Sequence, residues 1–211
     1  IALTSRIPVT AADRAAMLAQ GINPGEFQSV RFFGNFFDTE TEGFDAVFSK
    51  DWTLANGRLG LSAAANYTKS EVSNVRQPRA GVTVVDRERR IEISEFNPRI
   101  RGNLTLNYER GPWSGLVRTN YYGEWTDAVP NATPTALSFD QEFPSEWLVD
   151  VEVSYAFNEA LTVTLGAENV FDVYPDEDSR PSQRNNGIVH PQFSPFGFSG
   201  GFYYGRLTYR F

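Results

Sequence analysis

The sequence predicts an all-β protein whose antiparallel strands form part of a transmembrane β-barrel. Three observations carry that prediction. The strands alternate apolar and polar residues along their length, the connections between them are short and long in turn, and charge collects on one parity of the alternation. The closing stretch shows the pattern best. Tyr203, Leu207, Tyr209 and Phe211 share one face, and Tyr204, Arg206, Thr208 and Arg210 the other.

The totals narrow the function. The chain has 211 residues, no Cys and one His, so disulfide frameworks, thiolate sites and multi-histidine metal centres fall away, and no cofactor is expected. Aromatic residues reach 14%, and nearly all of the positive charge is Arg, a composition suited to interfaces. A formal net charge of −7 without a basic stripe argues against a nucleic-acid partner. No apolar run approaches the ~18 residues of a membrane-spanning helix, which leaves a β-barrel allowed. The first residue is Ile1 and lies in what reads as a strand end, so a piece of a longer chain is expected.

Taken in order, Thr10 to Gln20 is alanine-rich, opens on a capping Thr and is followed by Gly21, which predicts a short helix. It is the one helix the sequence announces. Phe27 to Phe37 and Thr41 to Trp52 read as one long strand in two stretches. Asn56-Gly57 is a hairpin dipeptide and leads into Leu59, Leu61, Ala63, Ala65 and Tyr67, alternating with polar or small residues. A long polar loop runs from Glu71 to Pro98. A second hairpin pairs Ile100 to Tyr108 with Val117 to Trp125 across Gly111-Pro112. Asp127 to Glu146 is a second long loop, with three prolines. Trp147 to Phe157 and Leu161 to Ala167 form a third hairpin across Asn158-Glu159. Phe171 to Ser199 is a third long loop before the terminal strand. Loops beyond about 12–15 residues are uncommon in compact domains, and three at one end match a barrel with short turns on one side of a membrane and long loops on the other.

Trp52, Trp113 and Phe157 lie toward the short turns, and Tyr67, Trp125, Trp147 and Tyr203 toward the long loops, on the apolar parity. Two aromatic belts are therefore expected, with uncharged outward positions between them. The inward parity carries Asp45, Arg101, Arg118, Asp150, Glu152, Glu168, Arg206 and Arg210.

Three stretches carry a family resemblance: Asp38-Thr-Glu-Thr-Glu-Gly-Phe-Asp45, Leu165-Gly-Ala-Glu-Asn-Val-Phe-Asp172 leading to Tyr174-Pro175, and Ser194 to Phe211. From about Arg31 onward the chain resembles the C-terminal part of a TonB-dependent outer-membrane receptor. The resemblance implies a 22-stranded barrel around a plug, with seven strands here, located in the bacterial outer membrane. On that reading residues 1–27 are an extracellular loop, 28–211 are barrel strands and loops, and the plug is absent. It also implies an active-transport receptor that binds a scarce nutrient at the cell surface and imports it with TonB-supplied energy, without covalent catalysis. The implied partners are the N-terminal part of the same receptor, TonB through the missing plug segment, outer-membrane lipid, the barrel assembly machinery and the nutrient. Leu207, Tyr209 and Phe211 resemble the assembly signal of such chains; Arg206 stands where a glycine is frequent, with Gly205 just before it.

The candidate substrate-binding residues are Arg118, Tyr122 and Glu124 on the wall, and Phe139, Phe143, His190, Phe193 and Phe196 in the loops, where aromatic faces stack on ligands or pack the loops together. The wall charges also read as structural pairs, and His190 as an incidental loop residue. Asp172, Asp176, Glu177 and Asp178 lack the glycine of a calcium loop and read as a solvated acidic loop. Two other functions stay open: a self-contained porin or adhesin barrel, and a soluble carbohydrate-binding β-sandwich.

Overall fold

A computed structural model of the chain describes residues 3–25, 27–80, 82, 84–128, 140–179 and 187–211. In chain order the elements are β1 (Leu3–Pro8), α1 (Ala11–Ala19), β2 (Ser29–Gly34), β3 (Asp38–Leu54), β4 (Gly57–Ser73), α2 (Arg87–Ser94), β5 (Ile100–Arg110), β6 (Trp113–Tyr122), β7 (Trp125–Asp127), β8 (Gln141–Phe143), β9 (Glu146–Ala156), β10 (Leu161–Glu168) and β11 (Phe202–Tyr209). Seven of them make one antiparallel sheet in the order β11-β10-β9-β6-β5-β4-β3, open at β3 and β11. These are the seven strands that the alternation predicts.

Register makes the two faces continuous. Phe48, Ala63, Leu104, Thr119 and Val149 form one cross-strand row, and Ser49, Ser62, Thr105, Arg118 and Asp150 form the next, on the opposite face. In water an antiparallel sheet covers its apolar face with another layer. Here that face is bare: Phe44 is 68% exposed, Leu165 60% and Leu207 69%. Uncovered apolar area on this scale belongs against lipid. From Phe44 to Leu54 on β3 is ten residues, roughly 33 Å along the strand and about 25 Å across a membrane at barrel tilt, the height of an outer-membrane apolar band.

The packed core lies at the long-loop end. Phe36, Phe37 and Val85 are buried together, with Val72, Val75, Val84 and Ile93 against them. Val72 belongs to the polar parity of β4, so this loop folds over that side of the sheet.

Several local expectations change. Residues 28–54 are two strands: β2 pairs with β1 in a separate two-stranded sheet, and β3 begins after Phe36 and Phe37 turn inward to the loop core. The first long loop holds a second helix, α2, capped by the Asp86 side chain, which accepts from Arg89 N. The second long loop contains the hairpin β7–β8. The first tight turn is shifted by one residue. Leu54 pairs with Gly57, so the turn residues are Ala55 and Asn56, with φ of 49° and 61°, the type I′ pattern. Gly57 is required for another reason: a Cβ there would stand 2.5 Å from the Glu109 carbonyl oxygen. The apolar parity is also not free of charge, because Lys50 lies on it between Phe48 and Trp52, opposite Leu61.

Candidate functional site at the lumen mouth

The polar face of the sheet is a wall of paired groups. Glu152 Oε2 accepts from Arg206 Nη2 at 2.9 Å and from the Tyr204 hydroxyl at 2.7 Å. Asp150 accepts from Asn120 Nδ2 at 3.2 Å and from the Asn169 backbone N–H at 2.9 Å. Asp45 accepts from Asn66 at 2.8 Å, and Arg101 donates to Asn97 Oδ1 at 3.1 Å. Arg118, directly opposite Asp150 in register, donates Nε to Thr105 Oγ1 at 3.4 Å. Strand alternation puts these groups on one face, and hydrogen bonds to adjacent strands, across β10 from β11 to β9, and to loop residues Asn97 and Asn169 hold them.

Above the wall the loops interlock. Thr126 N donates to Glu95 O at 2.9 Å, joining the second loop to the first. Gln141 Nε2 donates to Glu177 O and its Oε1 accepts from Ser179 N, both at 2.9 Å, joining the second to the third. Arg87 of α2 pairs with Asp140 beside β8. Aromatic rings continue the contact. Trp125 stacks on Phe143 at 4.1 Å, Phe96 meets Trp125 edge-on at 6.0 Å and Phe193 at 6.2 Å, and Phe196 meets Tyr122 of the wall at 5.4 Å. A rim cavity of about 860 Å³ lies beside this cluster, lined by Glu95, Arg99, Glu124, Trp125, Glu142 and Asp176 among others. Its charged lining is mainly acidic. Burial and neighbouring Asp86 push the Glu88 carboxyl of α2 above the usual range.

The predicted site residues separate into groups. Tyr122, Phe193 and Phe196 lie in the mouth cluster, and Glu124 on the cavity rim. Phe143 is 2% exposed, its face covered by Trp125, so it packs the loops and presents no free ring. His190 lies apart, stacked on Tyr174 at 5.1 Å with Nδ1 2.8 Å from the Pro175 carbonyl oxygen. Arg118 lies four residues deeper along β6 than Tyr122. Phe139 falls outside the described residues. Trp125, expected in a lipid-facing belt, is instead 2% exposed inside the loop layer, because the regular strand ends at Tyr122 and parity no longer fixes direction. Phe96 is invisible to the alternation for the same reason: it stands in the loop between α2 and β5, where no periodicity fixes direction.

The family described as TonB dependent receptor-like, beta-barrel matches residues 9–170. The chain belongs to this family. Its fold is also that of solved receptor structures. The complex of FpvAI with pyocin S2 is 15% identical, with a TM-score of 0.59 over 98% of this chain and 22% of that one. The pyoverdine outer-membrane receptor FpvA from Pseudomonas aeruginosa PAO1, bound to pyoverdine, is 14% identical, with a TM-score of 0.58 over 100% of this chain and 25% of that one. P. aeruginosa FpvA bound to heterologous pyoverdines is 15% identical, with a TM-score of 0.52 over 82% and 20%. This chain thus spans about a quarter or less of the length of each. No curated protein sequence matches it. The TonB-dependent receptor barrel is an outer-membrane structure, which accounts for the bare apolar face.

Within this receptor barrel, the stretch Asn169-Val-Phe-Asp172 has a clear structural task. Asn169 Nδ2 donates to Val173 O at 2.8 Å and its Oδ1 accepts from Val173 N at 3.0 Å. Asp172 Oδ1 accepts from Gly201 N at 2.7 Å, tying the start of the third loop to its end beside β11. Asp172 also pushes the Tyr174 phenol above its ordinary pKa.

Proposed function

We propose that this sheet is part of the closed wall of an outer-membrane receptor that captures a nutrient at the cell surface and imports it with energy from TonB. The observation that carries the proposal is the pairing of a polar wall with a loop layer built over that same face, joined where Tyr122 meets Phe196. The sheet has two open edges, β3 and β11, so further strands and a plug complete the lumen in this reading. TonB acts on the plug, outside this chain. Transport then follows from a shift in affinity when the plug moves, with no covalent step.

In this reading Tyr122, Glu124, Phe193 and Phe196 contact the substrate, Arg118 lines its path below, and Phe143 and His190 hold the loops that present them. A ferric siderophore is the first ligand class to test, because the similar structures include a receptor bound to pyoverdine. β11 and the two residues after it, with Leu207, Tyr209 and Phe211 on the apolar parity, serve as the signal read by the barrel assembly machinery.

The test is uptake of radiolabelled iron-loaded siderophores by cells carrying the intact receptor, with and without TonB. Tyr122→Ala and Phe196→Ala are expected to lower binding at least about tenfold, from the loss of two stacking contacts, while outer-membrane levels stay unchanged. TonB-independent uptake, or wild-type uptake by both variants, overturns the proposal.

A further inference from the structure

One charge of the polar wall stands opposite a counter-ion that does not serve it. Arg118, at the middle of β6, is exposed and lies directly across from Asp150 in register. Asp150 is already engaged: one carboxylate oxygen accepts from Asn120 Nδ2 and the other from the Asn169 backbone N–H. Arg118 donates its Nε to Thr105 Oγ1 at 3.4 Å, a long bond. Among the described residues no carboxylate forms an ion pair with it, and its two Nη groups have no acceptor. Elsewhere on the same face the wall does pair its charges, with Arg206 of β11 reaching Glu152 of β9 at 2.9 Å.

The row around Arg118 leaves room for a partner. From Thr105 toward β3 it continues through Ser62 and Ser49, two exposed short side chains, so nothing tall stands between the guanidinium and that side of the lumen. In open water a guanidinium needs no counter-ion. Half-way down a barrel filled by a plug it is enclosed, and an enclosed guanidinium without a counter-charge is strongly unfavourable. Its own row offers hydroxyls alone, because the Asp150 oxygens are taken. The two Nη groups match a carboxylate, which accepts from both in parallel.

We infer that Arg118 is a docking point for the plug on this part of the wall, and that an Asp or Glu side chain of the plug takes its two Nη groups in the resting receptor. The inference rests on the receptor reading above. The plug segment that bears the carboxylate approaches over Ser49 and Ser62, along the row that ends at Arg118. When TonB moves the plug the pair separates, and the guanidinium then faces the opened path. The contact therefore resists plug movement until force is applied, and it frees a cation on the wall only while the path is open.

The experiment is amide hydrogen exchange of the plug in the intact receptor, in vesicles and without ligand. Arg118→Glu sets carboxylate against carboxylate and is expected to speed exchange of one plug segment at least about tenfold, the effect of losing hydrogen bonds between two charged groups. Arg118→Met removes the charge at similar length and is expected to speed the same segment by a smaller factor. Replacing the plug's Asp and Glu residues by Lys one at a time in the Arg118→Glu receptor is expected to restore slow exchange at one position. Restoration at none of them, or plug exchange unchanged in Arg118→Met while ligand affinity falls, overturns the inference. TonB-dependent uptake by wild type together with unchanged plug exchange in Arg118→Glu overturns this inference alone; TonB-independent uptake overturns the receptor reading and this inference with it.

Discussion

The Asn169 carboxamide does with one side chain what a turn otherwise needs two residues to do, closing a ring of bonds on both the N–H and the C=O of Val173. Asn169 also adopts φ of 49°, a region that Asn tolerates better than most residues. Asn169→Ala removes two hydrogen bonds and leaves the left-handed conformation, so a loss of about 3 kcal/mol is expected, measured by equilibrium urea unfolding of the intact barrel in vesicles. Asp172→Asn keeps an acceptor for Gly201 N and is expected to cost less than about 1.5 kcal/mol. A loss as large as that of Asn169→Ala would show that the Asp172 charge, and not its acceptor, matters. Gly57 is limited by a neighbour: a Cβ would press on the Glu109 carbonyl oxygen and the Tyr108 hydroxyl. Gly57→Ala is expected to destabilise by about 1–3 kcal/mol. The sequence marks Asn56-Gly57 as a hairpin but misassigns the role of the glycine, because close approach to a third strand leaves no trace in a two-residue motif.

The elements differ in how far sequence exposes them. Strand alternation is enforced by a solvent on each face, lipid on one and water on the other, so β3 to β6, β9 to β11 and their pairing order are legible from periodicity alone. The loop layer has no such rule. Phe96, Trp125 and Phe143 meet across two loops, and nothing in their spacing announces it; α2 is hidden by charge density, its first residues being Arg-Glu-Arg-Arg. α1 is legible because its cap is local. Thr10 and Asp13 form a capping box, and Arg79 of the next loop reaches Asp13 with two bonds of 3.0 and 2.8 Å. The Thr10 N–H first, and the Arg79 guanidinium next, hold the Asp13 carboxyl at about 2, below its ordinary 3.8. A carboxyl depressed on folding contributes stability above its unfolded pKa and loses it as pH falls toward the folded one. The window is therefore from about 4 down to about 2. Amide exchange of residues 11–19, corrected for intrinsic rate, is expected to accelerate across that window, and Arg79→Ala is expected to raise exchange at pH 6 and flatten the acid response. Exchange that is indifferent to pH between 4 and 2 would refute the coupling.

At the scale of the whole sheet, the membrane is the missing half of the hydrophobic core. A globular domain of this length buries its large apolar residues in its interior; here the buried cluster is a small one in the loops, and the rows through Phe48, Leu104 and Val149 are stabilised only once lipid meets them. This makes the two faces testable at adjacent residues of one strand. Leu104 and Asn103 are neighbours on β5, both exposed, the first on the apolar row and the second on the polar row beside Ala64 and Asn120. A soluble sheet would tolerate an arginine at either exposed position to within about 0.5 kcal/mol. In the barrel, Leu104→Arg places a guanidinium in the hydrocarbon and is expected to cost about 2–4 kcal/mol, while Asn103→Arg reaches lumen water and is expected to stay within about 0.5 kcal/mol. Equilibrium unfolding of the intact barrel in vesicles reads both. Equal costs at the two positions would mean that the apolar face does not meet lipid, and a larger cost at Asn103 would reverse the assignment of inside and outside.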